Sequence, residues 1–422
     1  MNALDVRYSW LPVCFLAVFG AGFAACAQTD GLLTRDGHRL FPIGCYELPK
    51  DDAALEAMAE AGVNLVHCHS RKDLDRAQAA GLLAVFPLAL HKGPTDELRA
   101  RVESVADHPA LAVWEGPDEV VWNFTAYSGL HRKLGVHKTS GAWWRQTPEA
   151  VAYAQKQAAT IVPNIHKAAA MIREIDTRNR PIWINEALES DVYYVRQYLD
   201  AVDVTGCDIY PVNAKGRPVA RVGGATERWK AVGRGKPVWM VLQAFSWHEL
   251  GEYYGAKEPA YPSFAESRLM AYDVIAHGAK GILYWGSHYL KSDECRGSVY
   301  ALTTELDALQ PLLAAPDAPG VRLSVVEIPD ADASANVQMV ARQAEGDWLV
   351  ILVNEDDESH MGVVVEGLDE IDGQSMFLLY GAEEQAITHG ELITRLQPAD
   401  VKVFCTSRER QGALHEGRAY AP

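Results

Sequence analysis

The stretch Ala110-Leu-Ala-Val-Trp-Glu-Gly-Pro-Asp118-Glu119 decides the reading of this chain. Apolar residues run to Trp114, a glycine-proline turn stops them, and two adjacent carboxylates follow. An apolar run of this kind reads as a strand buried on both faces, and Gly116-Pro117 breaks it. In a closed barrel of alternating strands and helices, groups just beyond the C-terminal ends of the strands meet in one mouth. Asp118 and Glu119 stand at such an end.

Working outward, the same texture repeats. Apolar runs occur at Phe41-Cys45, Val63-Cys68, Leu82-Leu88, Ala110-Trp114, Pro181-Ile184, Val202-Ile209, Pro237-Leu242 and Gly281-Trp285. Amphipathic segments such as Asp51-Ala61, Leu74-Ala80, Pro148-Ile175 and Phe264-His277 lie between them. Eight strands with helical crossovers predict an α/β chain forming a (β/α)8 TIM barrel. After Pro311 the pattern changes. Ala315-Pro-Asp-Ala-Pro-Gly320 reads as a linker, and short alternating runs follow at Val321-Ile328, Val337-Gln343, Trp348-Asn354, Met361-Val365, Met376-Leu379 and Val401-Phe404. These predict a small C-terminal antiparallel β-sandwich. The expected divisions are a signal peptide at 1–27, the barrel at 28–316, the sandwich at 317–407 and a polar tail at 408–422.

A formal net charge of -17 over 422 residues argues against a nucleic-acid partner, whose phosphates would be repelled. Arg7, the apolar stretch from Leu11 to Ala25 and the small residues of Ala24-Ala25-Cys26-Ala27-Gln28 have the order of a secretory signal. Export to the periplasm, the medium or the bacterial cell envelope is therefore expected, with Cys26 a possible lipid-anchor site. No other stretch reads as a membrane span. There is no Cys-x-x-Cys pair, and no phosphate loop, nucleophile-elbow serine or nucleotide fingerprint. No cofactor is expected.

The strand ends supply the candidate groups. A general acid must protonate a leaving-group oxygen with a second group opposite it, and burial at a barrel mouth raises a carboxyl's pKa toward neutrality. Asp118, Glu119 and Glu186 are the catalytic candidates. Trp114, Asp208, Tyr210, Gln243 and Trp285 are candidate substrate contacts, because an aromatic ring can stack on the apolar face of a sugar while carboxylates and amides address its hydroxyls. His67-Cys68-His69 places two histidines on one side of a strand. No further histidine ligands follow at the fifth and sixth strand ends, so His69 is taken as a substrate contact and no metal site is expected. The long segment after Glu119 carries Trp122, Phe124, Tyr127, His131, His137, Trp143 and Trp144, which reads as a cleft wall or as a local minicore.

Phe41-Pro-Ile-Gly-Cys-Tyr46, Trp114…Asp118-Glu119, Asp208-Ile-Tyr210-Pro211 and Tyr284-Trp285-Gly286 together resemble the strand-end motifs of clan A-type glycoside hydrolase barrels. The resemblance spans roughly residues 38 to 405. It implies an O-glycosyl hydrolase acting on an oligo- or polysaccharide, with Glu119 as acid/base, Tyr210 orienting the nucleophile and Trp285 flooring a sugar subsite. The chain departs from the family at Gln243, where the seventh strand would carry a nucleophilic glutamate and an amide cannot form the glycosyl ester. Another carboxylate (Glu186, Asp208 or Glu249) could take the role. Alternatively, Gln243 could position water or a substrate group, or the barrel could bind carbohydrate without cleaving it.

Overall fold

The structure, a computed structural model, describes residues 30–251, 257–286, 291–327, 336–380 and 383–410. The expected signal segment with Cys26, His288 and most of the polar tail lie outside the described residues. A short hairpin, β1 (Leu33–Arg35) and β2 (His38–Leu40), opens the chain. Eight parallel strands then close a barrel: β3 (Ile43–Cys45), β4 (Leu65–His67), β5 (Leu83–Pro87), β6 (Leu111–Glu115), β7 (Ile182–Ala187), β8 (Val204–Asp208), β9 (Val238–Gln243) and β10 (Gly281–Trp285). They pair in sequence order, and β10 returns to β3 through Ile282↔Ile43. All eight fall on the apolar runs read from the sequence.

Alternation along each strand sorts its residues into two cores. Leu65, Leu83, Val85, Val113, Trp183, Trp239, Val241 and Leu283 pack together inside the barrel. Val66, Phe86, Trp114, Ile184, Cys207, Met240 and Tyr284 belong to the larger core shared with the helices. The helices are α1 (Asp52–Glu60), α2 (Arg71–Ala79), α3 (Asp96–Glu103), α4 (Val120–Phe124), α5 (Gly129–Arg132), α6 (Pro148–Ile175), α7 (Val192–Tyr198), α8 (Arg221–Gly233), α9 (Phe264–Ala276), α10 (Asp293–Ala308) and α11 (Gln310–Leu313). Several of their starts are capped by side chains: Asp51, Ser70, Thr95, Thr147 and Ser263 each accept a backbone N–H, satisfying a donor that the first turn leaves orphaned. Among the described residues, no helix is long and apolar enough to cross a membrane.

Strands β11 (Arg322–Glu327) to β18 (Val401–Cys405) build the sandwich, through β12 (Val337–Ala344), β13 (Asp347–Asn354), β14 (Met361–Glu366), β15 (Ser375–Leu378), β16 (Glu384–Ala386) and β17 (Glu391–Leu396). One sheet runs β12-β13-β18-β15-β16 and the other β11-β14-β17. The sequence reading lacks β16 and β17, both at sheet edges, where few apolar residues are needed. Val350, Leu352 and Phe404 face the second sheet. Their neighbours Leu349, Ile351, Val353 and Val403 turn the other way into the barrel's outer core. Covered on both faces, β13 is accordingly a near-continuous apolar run. The helix it meets, α9, is buried from Ser267 to Ile275. Its Arg268 is paired with buried Glu305 and donates to the Val401 carbonyl, which ties barrel to sandwich.

Candidate active site

The C-terminal strand ends converge on a cleft of about 610 Å³ lined by Tyr46, Asp118, Glu119, Asn185, Asp208, Tyr210 and Trp285, among others. Strand parity selects which side chains reach it. On β7, Trp183 faces inward, so Asn185 does too; on β8, Asp208 closes the inward row beside it, since Asp208 pairs in register with Ala187. Gly116 permits the turn after β6, because a Cβ there would meet Ile184 Cγ1 at 2.4 Å.

Asn185 is the hub. Its Nδ2 donates to Asp118 Oδ1 at 3.0 Å and to Asp208 Oδ2 at 3.1 Å. One amide NH2 bonding two carboxylates through its two hydrogens holds their oxygens roughly 5 Å apart. The two carboxylates also fix the amide's orientation, since a flipped Asn185 would set its oxygen against both. Tyr46 adds a weaker donation to Asp118 Oδ1, at 3.4 Å.

Glu119 sits next to this pair with left-handed backbone, at φ 49°. A non-glycine residue pays for that conformation, on the order of 1–3 kcal/mol. Its N–H donates to the Asn185 carbonyl at 2.9 Å, which anchors the turn to β7. The Glu119 and Asp208 carboxyl groups lie against each other, and the contact disfavours ionisation of Asp208. Burial and the nearby Asp118 charge push Glu119 up to about 7. Asp208 is driven well above its ordinary range by burial, then by Glu119 and Asp118. Asp118 is solvent-exposed in the cleft; partial burial raises it, and the bonds from Asn185 and Tyr46 oppose the rise. The arrangement is an interacting carboxyl pair facing a third carboxylate across a gap.

Aromatic rings floor the space. Tyr210 and Trp285 stack with centroids 5.5 Å apart, and Phe245 meets Trp285 edge-on at 4.9 Å. Trp122 and Tyr127 form part of the wall. The rest of that aromatic segment is mixed. Phe124 and Trp143 pack on Tyr194, and His137 bonds the Thr125 carbonyl, so this loop is both wall and minicore.

Four expected site residues stand elsewhere. Glu186 has the opposite parity to Asn185 and is fully buried under α4. Its carboxylate accepts from Val121 N, Trp122 N, Ser190 Oγ and Tyr198 OH. Burial lifts it to about 7 against those four donors, and with its lone pairs filled it serves as the cap of a helix rather than facing the cleft. Trp114 is buried towards the helices, donating to Asp176 Oδ2 at 2.7 Å. Gln243 is fully buried; it accepts from Val212 N and donates to the Val212 and Phe245 carbonyls, which staples two loops together. His69 lines a neighbouring cleft of about 530 Å³ that also reaches Asp118.

Sequence reasoning passed over Glu115, Asn185, Tyr46 and His67 as site residues. Glu115 is the last residue of β6 and buried, 3.6 Å from His67 Nδ1. Burial, then repulsion from Asp118, raises its carboxyl well above the usual range. Burial lowers His67 to about 3, leaving it neutral, and its ring packs on Tyr46 at 4.3 Å. The available signal was parity: counting by twos from Val113 and Trp183 selects Glu115 and Asn185 over Trp114 and Glu186.

No protein-family model matches the sequence, and no curated protein matches it. Solved structures do. A β-galactosidase from Bacillus circulans sp. alkalophilus superposes with a TM-score of 0.53 at 9% identity, covering 87% of this chain and 99% of that one. A protein described as a glycoside hydrolase gives 0.52 at 13% identity, covering 89% and 96%. Of the β-galactosidase from the psychrophilic Marinomonas ef1 the chain spans only 60%, with a TM-score of 0.46 at 14% identity. At these identities the likeness is one of architecture: the chain has the barrel-plus-sandwich fold found in glycoside hydrolases.

Proposed function

We propose that the chain is a glycoside hydrolase-like enzyme in which the Glu119–Asp208 pair is the proton donor and Asp118 the second carboxylate. The observation that carries this reading is the Asn185 hub, with the interacting carboxyl pair on one side and an exposed carboxylate roughly 5 Å away on the other. Retaining glycosidases hold their two carboxyl groups about 5–5.5 Å apart. Glu119, at about 7, keeps its proton near neutrality and can give it to a leaving oxygen. The stacked Tyr210 and Trp285 suit the apolar face of a pyranose. Asp118, Glu119, Glu189 and Asp208 outnumber Arg221 along the cleft, which favours neutral over acidic sugars.

The reading extends to export, supported by the N-terminal order of Arg7, the Leu11-to-Ala25 stretch and the small residues before Gln28, with Cys26 the position for a lipid if the chain is anchored. A second reading, a carbohydrate-binding barrel without turnover, is favoured by one observation: Gln243 is committed to loop backbone and leaves the seventh strand without a carboxylate. The test is a panel of aryl glycosides and oligosaccharides against the wild-type protein and Asp118→Asn, with the anomer of the first product read by NMR. Hydrolysis with retention, lost in Asp118→Asn, where added azide instead displaces the aglycone and yields the glycosyl azide of inverted configuration, supports the first reading. Saturable sugar binding without hydrolysis supports the second.

A further inference from the structure

The seam between barrel and sandwich holds another cluster of charged groups, remote from the cleft residues in the chain and built from different elements. Asp273 and His277 stand one turn apart at the end of α9, and Glu355 reaches them from the turn after β13. His277 Nε2 lies 2.9 Å from Glu355 Oε1 and 3.6 Å from Asp273 Oδ1, and one donor atom from each residue lies within 4.8 Å of the others. Asp273 is fully buried, and neither of its carboxylate oxygens makes a well-formed hydrogen bond, although the Gly223 N–H approaches it. An ionised carboxylate in that state is costly unless a cation faces it. Burial, then repulsion from Glu355, drives Asp273 up to about 8.

The surroundings are those of a ligand set. Glu227 Oε1 lies 3.3 Å from His277 Nδ1, which directs Nε2 toward the two carboxylates, and Gln338 donates to Glu355 Oε2 at 3.1 Å. Partners of this kind orient metal ligands and fix the histidine tautomer. Lys230 bonds Glu227 at 2.9 Å and offsets that outer charge, leaving two carboxylates to balance a divalent ion. Helix α8 approaches through Gly223, where a Cβ would meet His277 Nε2 at 2.6 Å and Asp273 Oδ2 at 2.7 Å. A tetrahedral ion with ligands at about 2.1 Å has ligand-to-ligand edges of roughly 3.4 Å, which the 2.9 and 3.6 Å separations bracket.

We propose that Asp273, His277 and Glu355 bind a divalent first-row transition-metal ion, Zn2+ foremost, which clamps the sandwich onto the barrel. An imidazole with two carboxylates suits Zn2+ over Mg2+ or Ca2+, which prefer all-oxygen shells. The ion joins α9 to the turn following β13, so its binding energy adds to the stability of the two-part fold.

The test uses the full chain stripped with a chelator and titrated with ZnCl2, followed by calorimetry and by thermal unfolding. One tight site and a rise in Tm of roughly 2–5 °C at a hundredfold excess over the Kd are expected. Asp273→Asn and His277→Ala each weaken that site at least tenfold and abolish the Tm rise, whereas Asp208→Asn, in the cleft, leaves both unchanged. Asp273→Asn keeps the shape of the side chain and adds no charge, so the metal-free variant folds, which far-UV circular dichroism checks. No saturable Zn2+ binding by the wild type overturns the proposal and leaves a carboxyl pair sharing a proton. Undiminished binding by Asp273→Asn overturns it as well.

Discussion

Two carboxyl clusters in this molecule obey the same electrostatics and differ in what they face. At the barrel mouth, Asp118, Glu119 and Asp208 crowd around Asn185 and open into a cleft. At the seam, Asp273 and Glu355 crowd around His277 and are closed over by Gly223 of α8. In both, burying like charges raises a carboxyl pKa, to about 7 at Glu119 and about 8 at Asp273. A raised pKa therefore does not identify a catalytic group. Glu186 sharpens the lesson: it too lies at about 7, yet four donors fill its lone pairs and it caps a helix. What separates the three is the unfilled side. Glu119 faces an open cleft, Asp273 faces His277 and Glu355 without a well-formed hydrogen bond of its own, and Glu186 faces four donors.

The largest effect expected is at the mouth. Glu119→Gln and Asp208→Asn should each lower kcat by about a thousandfold on a natural glycoside, since each removes one carboxyl of the interacting pair. Steady-state kinetics with an unactivated leaving group measures this, and equal turnover in either variant would break the contrast with Glu186. The pH profile follows with a definite sign. Glu119 must be protonated, so kcat/KM should fall roughly tenfold per unit as pH rises above about 7. Stability carries the same sign. The folded pKa of Glu119 exceeds the unfolded value near 4.5, so its contribution favours folding below about 4.5 and is lost as pH rises to about 7; urea unfolding across that window reads it.

At the seam, Asp273→Asn should reduce Zn2+ affinity at least tenfold without altering sugar turnover, which separates the two clusters in one variant. Between them stands Gln243. Gln243→Glu sets a carboxylate against the Val212 and Phe245 carbonyls, so it should cost about 1–3 kcal/mol of stability and not add a nucleophile. Thermal unfolding checks the loss, and a gain of retaining activity in that variant would show that the residue can reach the cleft. The smallest effect is at the floor: Trp285→Ala should raise KM about fivefold with little change in kcat, as stacking contributes to ground state and transition state alike.

The eight barrel strands and the sandwich strands other than β16 and β17 were legible because both follow from local rules, the length of an apolar run and the residues that interrupt it. Asp118, Glu119 and Asp208 were legible for the same reason, being polar residues at the ends of such runs. The choice between Asn185 and Glu186 was not. Both are polar and adjacent, and which one faces the barrel axis depends on the parity set by Trp183 inside the closed barrel. Trp114 misled in the same manner, its indole turning to Asp176 in the helix layer.

By itself, then, the sequence determined the barrel, the sandwich and a ring of strand-end carboxylates, because burial periodicity is written residue by residue. Only the tertiary structure decided that Asn185 bridges Asp118 and Asp208, that Glu119 lies against Asp208, that Gln243 is spent on loop backbone, and that α9, α8 and the turn after β13 bring Asp273, His277 and Glu355 together. Those facts depend on contacts between residues tens of positions apart in the chain, which no local pattern encodes.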